Sequence, residues 1–342
     1  MKINFKALAK YIFFFGLGIF FVWLSIKDIN SHDWQEIKSA VATGRKWVII
    51  PVILMLLLAH YIRALRWKLL MEPLDYHPTT FNAFSAVMIG YLVNTGVPRL
   101  GEVFKCTLLA RYEKLKVDKL IGTILVERAV DVICLLVVFV LAVILQGDIF
   151  GGFMMDLLRK FFHDKAGSLS YTKLAIAGAV LLVLLVAFYI ILKKFGHIDV
   201  VSKIKGVIKN VLHGLSSIRY LQHKRLFIIQ SILIWGLYFF STYAGLYALK
   251  ETAHLGLAGG ITVLAVGSVG MIITPGGIGA YQILIAKLLI LYNIDEKTTG
   301  TASGWLLWSA QTFIILVGGL ICFALISRYN KNRAALEKST DN

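Results

Sequence analysis

The chain has 342 residues, of which 58% are hydrophobic and 16% charged, with a mean hydropathy of +0.75 and a formal net charge of +17. Soluble domains carry about 25% charged residues, so these figures exclude an ordinary soluble protein and predict an all-α, polytopic integral membrane protein. In such a chain an excess of Lys and Arg encodes orientation, so no nucleic-acid partner is expected.

Apolar runs long enough to cross a hydrocarbon core of ~30 Å fall at residues 11–26, 47–62, 120–145, 172–192, 226–249 and 301–327, about six full spans. The first follows Lys2, Lys6 and Lys10 but ends in Ser25-Ile26-Lys27-Asp28. Without a small-residue cleavage site it reads as a retained helix, not a signal peptide. After the second run comes a helix-breaking cluster, Asn94-Thr95-Gly96-Val97-Pro98-Arg99-Leu100-Gly101-Glu102, and 177 residues after Pro98 a second begins at Pro275, within Thr274-Pro275-Gly276-Gly277-Ile278-Gly279. Backbone that leaves the helix at membrane depth exposes amides and carbonyls that lipid cannot satisfy, so such breaks persist only where protein or water lines a cavity. A pair of them in matching halves points to a transport site.

Charge supplies the topology. With the N-terminus inside, segments 1–10, 63–78, 99–119, 193–225 and 328–342 carry 24 of the 36 Lys and Arg residues, against 10 outside. The bias predicts cytoplasmic N- and C-termini in a cell inner membrane. It also requires residues 79–112 and 256–292 to be re-entrant helical hairpins entering from opposite faces. The chain is then a single membrane domain, 1–342, with a first half at 1–146 and a second at 226–327 forming an inverted repeat; eight ordinary kinked spans are the alternative. Between the halves, Ile198, Val201, Ile204, Ile208, Val211, Leu215 and Ile218 recur at helical spacing. Residues 196–225 therefore read as an amphipathic helix on the anionic cytoplasmic leaflet, or as a connector obeying the same charge rule.

The run at 120–145 contains Glu127, Arg128 and Asp131. Each ionised group there costs about 2.5–3.5 kcal/mol on the insertion scale, so all three must be paired or wet. Arg128 and Asp131, three apart, are expected to pair with each other. Glu127, repelled by Asp131, is expected to find Arg99 or Lys105, which share a face with Glu102. Two readings follow: an ion network that clamps the first hairpin, or a polar groove for a lipid headgroup lined by Asn94, Arg99, Glu102, Lys105, Glu127, Arg128 and Asp131. At the breaks, Pro98, Gly101, Pro275, Gly276, Gly277 and Gly279 would bring backbone close to a lipid phosphate. The helix beginning near Ala280 would aim its N-terminal dipole there, with Lys287 in support.

Cys106, Cys134 and Cys322 lack ligand spacing, and no HExxH, Walker A, GxSxG or GxGxxG sequence occurs. No metal, cofactor or catalytic residue is expected.

The stretches YLVNTGVPRLGEVFKCTLLARY (91–112), TILVERAVDVICLL (123–136) and TPGGIGAYQ (274–282), with RALRW at 63–67, resemble the lysylphosphatidylglycerol synthase transmembrane-region family, which includes the membrane half of the multiple peptide resistance factor. The resemblance covers nearly the whole chain. It implies a flippase-like domain that moves a lipid between leaflets, and it falls on Asn94, Pro98, Arg99, Gly101, Glu102, Glu127, Arg128, Asp131, Pro275, Gly276, Gly277 and Gly279. The chain departs from relatives at Gln282, where many carry an acidic residue, so the resemblance implies lipid handling but not a lysyl lipid. The expected partner is an anionic, zwitterionic or polyprenyl-linked membrane lipid, with a homodimer or an envelope enzyme as a further partner. The rival expectations are a membrane-embedded transferase or hydrolase on a lipid-linked sugar, with Glu127 or Asp131 as base, and an accessory scaffold of envelope biogenesis.

Overall fold

The computed structural model describes residues 20, 22–27, 29–97, 99–162 and 221–340, with side chains as far as 149 in the first long stretch and 336 in the second. Pro98, the run at 172–192, most of the run at 11–26 and the linker helix up to residue 220 lie outside the described residues. Every regular element among the described residues is a helix. They are α1 (Ser31–Thr43), α2 (Ile49–Met71), α3 (Thr80–Gly96), α4 (Leu100–Glu113), α5 (Val117–Phe162), α6 (Lys224–Tyr247), α7 (Gly256–Ile273), α8 (Ala280–Ile290) and α9 (Thr301–Thr340).

Among the described residues, five stretches are long and apolar enough to cross a membrane: Lys46–Leu74, Val117–Ile149, Lys224–Tyr247, Ala253–Ile273 and Glu296–Leu336. The chain is an all-α, multi-pass membrane protein. Two boundaries differ from expectation. The second apolar run does not end at residue 62 but continues as helix to Met71, because Arg63 and Arg66 are paired inside the protein and impose no stop. The last helix passes residue 327 and reaches Thr340, since nothing in Arg328-Tyr329-Asn330-Lys331 breaks a helix.

Capping sets the polar ends. Asn30 accepts from the Asp33 amide at 2.9 Å while the Asp33 carboxylate accepts from the Asn30 amide at 3.1 Å, a reciprocal cap on α1. Thr79 caps α3 through the Asn82 amide. At Gln146 (φ −146°, ψ 49°) α5 leaves helical geometry.

Three antiparallel pairings build the bundle. Along α2 and α6, the Arg45 amide donates to the Ala248 carbonyl at 2.7 Å, Arg63 reaches Tyr238, and Arg66 reaches Ser231. Between α3 and α9, the Asn82 and Asn330 amides exchange hydrogen bonds of 2.9 and 2.8 Å, and Met88 and Leu92 pack on Gly318 and Gly319. Between α5 and α7, Val138 and Ala142 share a core with Leu264 and Ala265. Exchanging α2 with α6, α3 with α7, α4 with α8 and α5 with α9 leaves the α2–α6 pairing as it is and turns α3–α9 and α5–α7 into one another.

Both helical hairpins close over glycine. A Cβ on Gly101 would lie 1.8 Å from the Gly90 carbonyl oxygen, and one on Gly270 would lie 2.7 Å from the Tyr281 Cα. No side chain fits between α3 and α4, or between α7 and α8, at these points. The breaks are tied by side chains: Asn94 Oδ1 accepts from the Gly101 amide at 2.8 Å, and Trp308 Nε1 donates to the Gly276 carbonyl at 2.7 Å. The two breaks also lie side by side: a Cβ on Gly276, which the glycine lacks, would stand 3.7 Å from Thr95 Cγ2.

Candidate functional site

Arg63, Arg66 and Trp67 occupy positions i, i+3 and i+4 of α2 and so share one face. Glu127 and Asp131 do the same on α5, and Lys105 reaches in from α4. Arg63 Nη1 lies 3.1 Å from Glu127 Oε1 and 2.6 Å from Asp131 Oδ2; Arg66 Nη2 lies 2.8 Å from Asp131 Oδ1; Lys105 Nζ lies 2.8 Å from Glu127 Oε2. The Glu127 side chain has no exposure at all. Three cations thus surround two carboxylates, a surplus of one positive charge. Aromatic faces hold the cations from the other side: Arg63 sits 5.9 Å from the ring centres of both Tyr91 and Tyr238, and Lys105 sits 4.4 Å over Trp67. Trp67 Nε1 in turn donates to Thr123 Oγ1 at 2.8 Å.

Several expected pairings are corrected by this geometry. Asp131 does not pair with Arg128, because Arg63 and Arg66 approach from α2 and take both its oxygens. Arg128 turns instead toward α4, where its Nε lies 2.8 Å from Glu102 Oε1. That contact is a charge contact without hydrogen-bond alignment, since Arg128 Nε has no hydrogen-bond partner. Of the two cations expected for Glu127, Lys105 is the one that reaches it, alongside Arg63. Arg99 is exposed in the left-handed turn (φ 66°) before α4 and stands outside the network. Asn94 and Gly101 hold the first break together through their mutual hydrogen bond.

Arg63 and Arg66 escaped the sequence reading because they follow an apolar run directly, where positive charge also marks a cytoplasmic helix end. The available signal was RALRW itself: two arginines three apart with a tryptophan beside them form a continuous helical face. Tyr91 and Tyr238 carried no comparable signal, since tyrosines are ordinary at membrane depths near the interface.

Over the network, Tyr91, Asn94, Gly101, Glu102, Lys105 and Arg128 line a crevice of ≈ 10 Å³, room for about one water. The Arg128 and Glu102 side chains at its mouth are 40% and 31% exposed. Access for anything larger therefore requires that this pair separate. At the second break Gly276, Gly277 and Gly279 all have positive φ (61°, 73° and 75°), which explains three glycines in four positions. Lys287 does not serve that turn. It lines a separate cavity of ≈ 310 Å³ beside α8, to which none of Pro275, Gly276, Gly277 and Gly279 contributes. An apolar groove of ≈ 330 Å³ lies between α2, α9 and the end of α6, lined by Val52, Ala248, Leu306 and Phe313 among others. Among the described residues no three His, Cys, Asp or Glu side chains gather in a metal-binding cluster.

These features define a polytopic helical membrane protein with two broken hairpins and an ion cluster sealed beneath a water-sized crevice. The chain belongs to the family described as the lysylphosphatidylglycerol synthase TM region, whose match covers residues 8–333. It is also similar to a UPF0104 membrane protein of Methanocaldococcus jannaschii, 31% identical over 98 residues. That alignment covers 28% of this chain and 29% of the relative, so it spans less than a third of either protein. No solved structure matches the chain.

Proposed function

We propose that the protein moves the polar headgroup of a phospholipid or lipid-linked compound between leaflets, as a flippase or transporter-like protein of the inner membrane with both termini cytoplasmic. The observation that carries this reading is the Arg128–Glu102 pair: half-exposed, poorly aligned and seated over a buried network with surplus positive charge. When Arg128 leaves Glu102, its guanidinium offers a bidentate donor face to a phosphate. Lys105 beneath it supplies further positive potential, while Glu102 is released for the cationic part of a zwitterionic headgroup. Acyl chains remain in bilayer or groove, so the protein lowers only the cost of carrying a charged head through hydrocarbon.

The antiparallel pairings of α2 with α6 and α3 with α9 support an inverted repeat whose hairpins, 79–112 and 256–292, enter from opposite faces. In that arrangement the side-chain-free turn at Gly276, Gly277 and Gly279 lets a headgroup pass close to backbone amides. A protection assay on proteoliposomes, with fluorescent lipids of several headgroups, tests the proposal. Wild-type protein is expected to expose inner-leaflet probe to an external quencher, and Arg128→Ala to lose that exchange while remaining folded. Unchanged exchange in the variant removes the headgroup site.

The family's own description favours one second reading, a lipid-modifying enzyme. It predicts a change of mass in the lipid after incubation with donors, which translocation does not produce.

A further inference from the structure

A polar cavity of ≈ 310 Å³ lies beside α8, outside the ion network. Among the described residues, Lys27, Lys287 and Lys297 line it against one carboxylate, Glu296, a surplus of two positive charges. Among the described residues none of the three lysines has a carboxylate within ion-pair distance, and the ammonium of Lys27 rests on an aromatic ring, 5.2 Å from the centre of Trp23. Gln282 also lines the cavity. It is 1% exposed, yet neither its amide nitrogen nor its amide oxygen has a hydrogen-bond partner.

An unpartnered buried amide costs roughly 1–3 kcal/mol, so its persistence beside three unpaired cations calls for an occupant. The origin of the vacancy can be read from the sequence spacing. With Pro275 set against Pro98, Gln282 falls at the position of Lys105 and Gly304 at that of Glu127. In the network Lys105 and Glu127 are in contact. Gln282 and Gly304 are in contact as well, a Cβ on Gly304 standing 2.9 Å from the Gln282 Cα. Without a carboxylate at 304, the Gln282 amide has no acceptor from α9.

We infer that this cavity is a binding site for a phosphate group, held by the Gln282 amide N–H and by the ammonium groups of Lys287, Lys297 and Lys27. Phosphate fits better than carboxylate because its oxygens can meet several separate donors at once, and the three cations come from different parts of the chain. A lipid headgroup and a free phosphate compound present the same chemistry. The lipid source rests on the proposed function; the anion site does not.

The test titrates the full-length protein in detergent with inorganic phosphate, with dioctanoyl phosphatidylglycerol and with dioctanoylglycerol, which lacks phosphate. Wild-type protein is expected to bind at least one of the two phosphate probes and not the diacylglycerol. Lys287→Gln/Lys297→Gln is expected to weaken that binding at least tenfold, Gln282→Leu about threefold or more, and Lys250→Gln not at all. The single variant Lys297→Gln, at an exposed position, guards against misfolding and is expected to weaken binding measurably. Binding of the lipid alone assigns the site to a headgroup, and binding of inorganic phosphate assigns it to free phosphate compounds; either sustains the site. No binding of either probe, equal binding of the diacylglycerol, or affinity unchanged in all the cavity variants overturns it. Loss of lipid translocation with phosphate binding intact would refute transport and leave this site standing.

Discussion

Lys105 and Glu127 illustrate how ionised side chains survive inside a membrane protein. Each is nearly or wholly inaccessible, and the 2.8 Å contact between them substitutes for the water both have lost. Removing Glu127 strands Lys105, and removing Lys105 leaves one Glu127 oxygen without its cation while Arg63 still holds the other. Lys105→Met and Glu127→Gln are each expected to destabilise the protein by about 3–5 kcal/mol, and the double variant to cost clearly less than the sum, which a thermal or chemical unfolding cycle measures. Gly101 is limiting for a different reason. Gly101→Ala drives a methyl into the Gly90 carbonyl and is expected to cost about 3 kcal/mol or more in folding stability. Gly122→Ala, where nothing lies within 4 Å, is expected to leave stability unchanged or raised. The sequence marked Glu127, Arg128 and Asp131 because charge inside an apolar run is costly whatever surrounds it. Lys105 was legible as a partner of Glu127, but the partners of Arg128 and Asp131 were not: within one helix these two satisfy each other's spacing, and only the approach of α2 changes the outcome.

Beside the Asn82–Asn330 pair, the Glu113 carboxylate fastens the hairpin α3–α4 to α9. Glu113 accepts from the Thr79 amide at 2.9 Å, the Thr79 hydroxyl at 2.7 Å and Asn82 Nδ2 at 2.6 Å, while Arg333 Nη1 lies 3.0 Å from its second oxygen. Burial raises the Glu113 pKa, but the hydrogen bonds from Thr79, Asn82 and Arg333 outweigh it and hold the carboxyl below its usual range. A lowered folded-state pKa means that the stabilisation is complete above the unfolded value of about 4.3 and is lost as pH falls through the folded one. Wild-type thermal stability is therefore expected to stay level from neutral pH to about 5 with respect to this group and to decline below about 4. Glu113→Gln is expected to be less stable at pH 7 and to show a shallower acid decline. Element identity was largely legible, since apolar length and the Pro and Gly clusters fixed where helices run and stop. The end of α2 was not, because a cation that stops a helix at the interface and one that enters the interior look alike until a carboxylate is found opposite.

Across the whole molecule, the three antiparallel pairings place Lys114 and Lys331 near one end, with Glu113, Asn82 and Asn330, and Lys250 and Lys297 away from it. If both hairpins are re-entrant, cysteines introduced at Lys114 and Lys331 in a background lacking Cys106, Cys134 and Cys322 react with an impermeant thiol reagent only from the cytoplasmic face. Those at Lys250 and Lys297 then react only from the opposite face. Labelling of Lys114 and Lys331 positions from different faces sinks the inverted architecture. The charge tally behind that orientation tolerates the burial of Arg63, Arg66 and Lys105, because removing those three from the inner side still leaves a twofold excess over the outer side.

Thr95 and Gly276 set the two breaks tip to tip. Because position 276 carries no side chain, a gap of about one methyl group separates them, and a Cβ there would only just reach Thr95. If the two arms carry a headgroup between leaflets, that narrow clearance bounds how far one tip can tilt before it presses on the other.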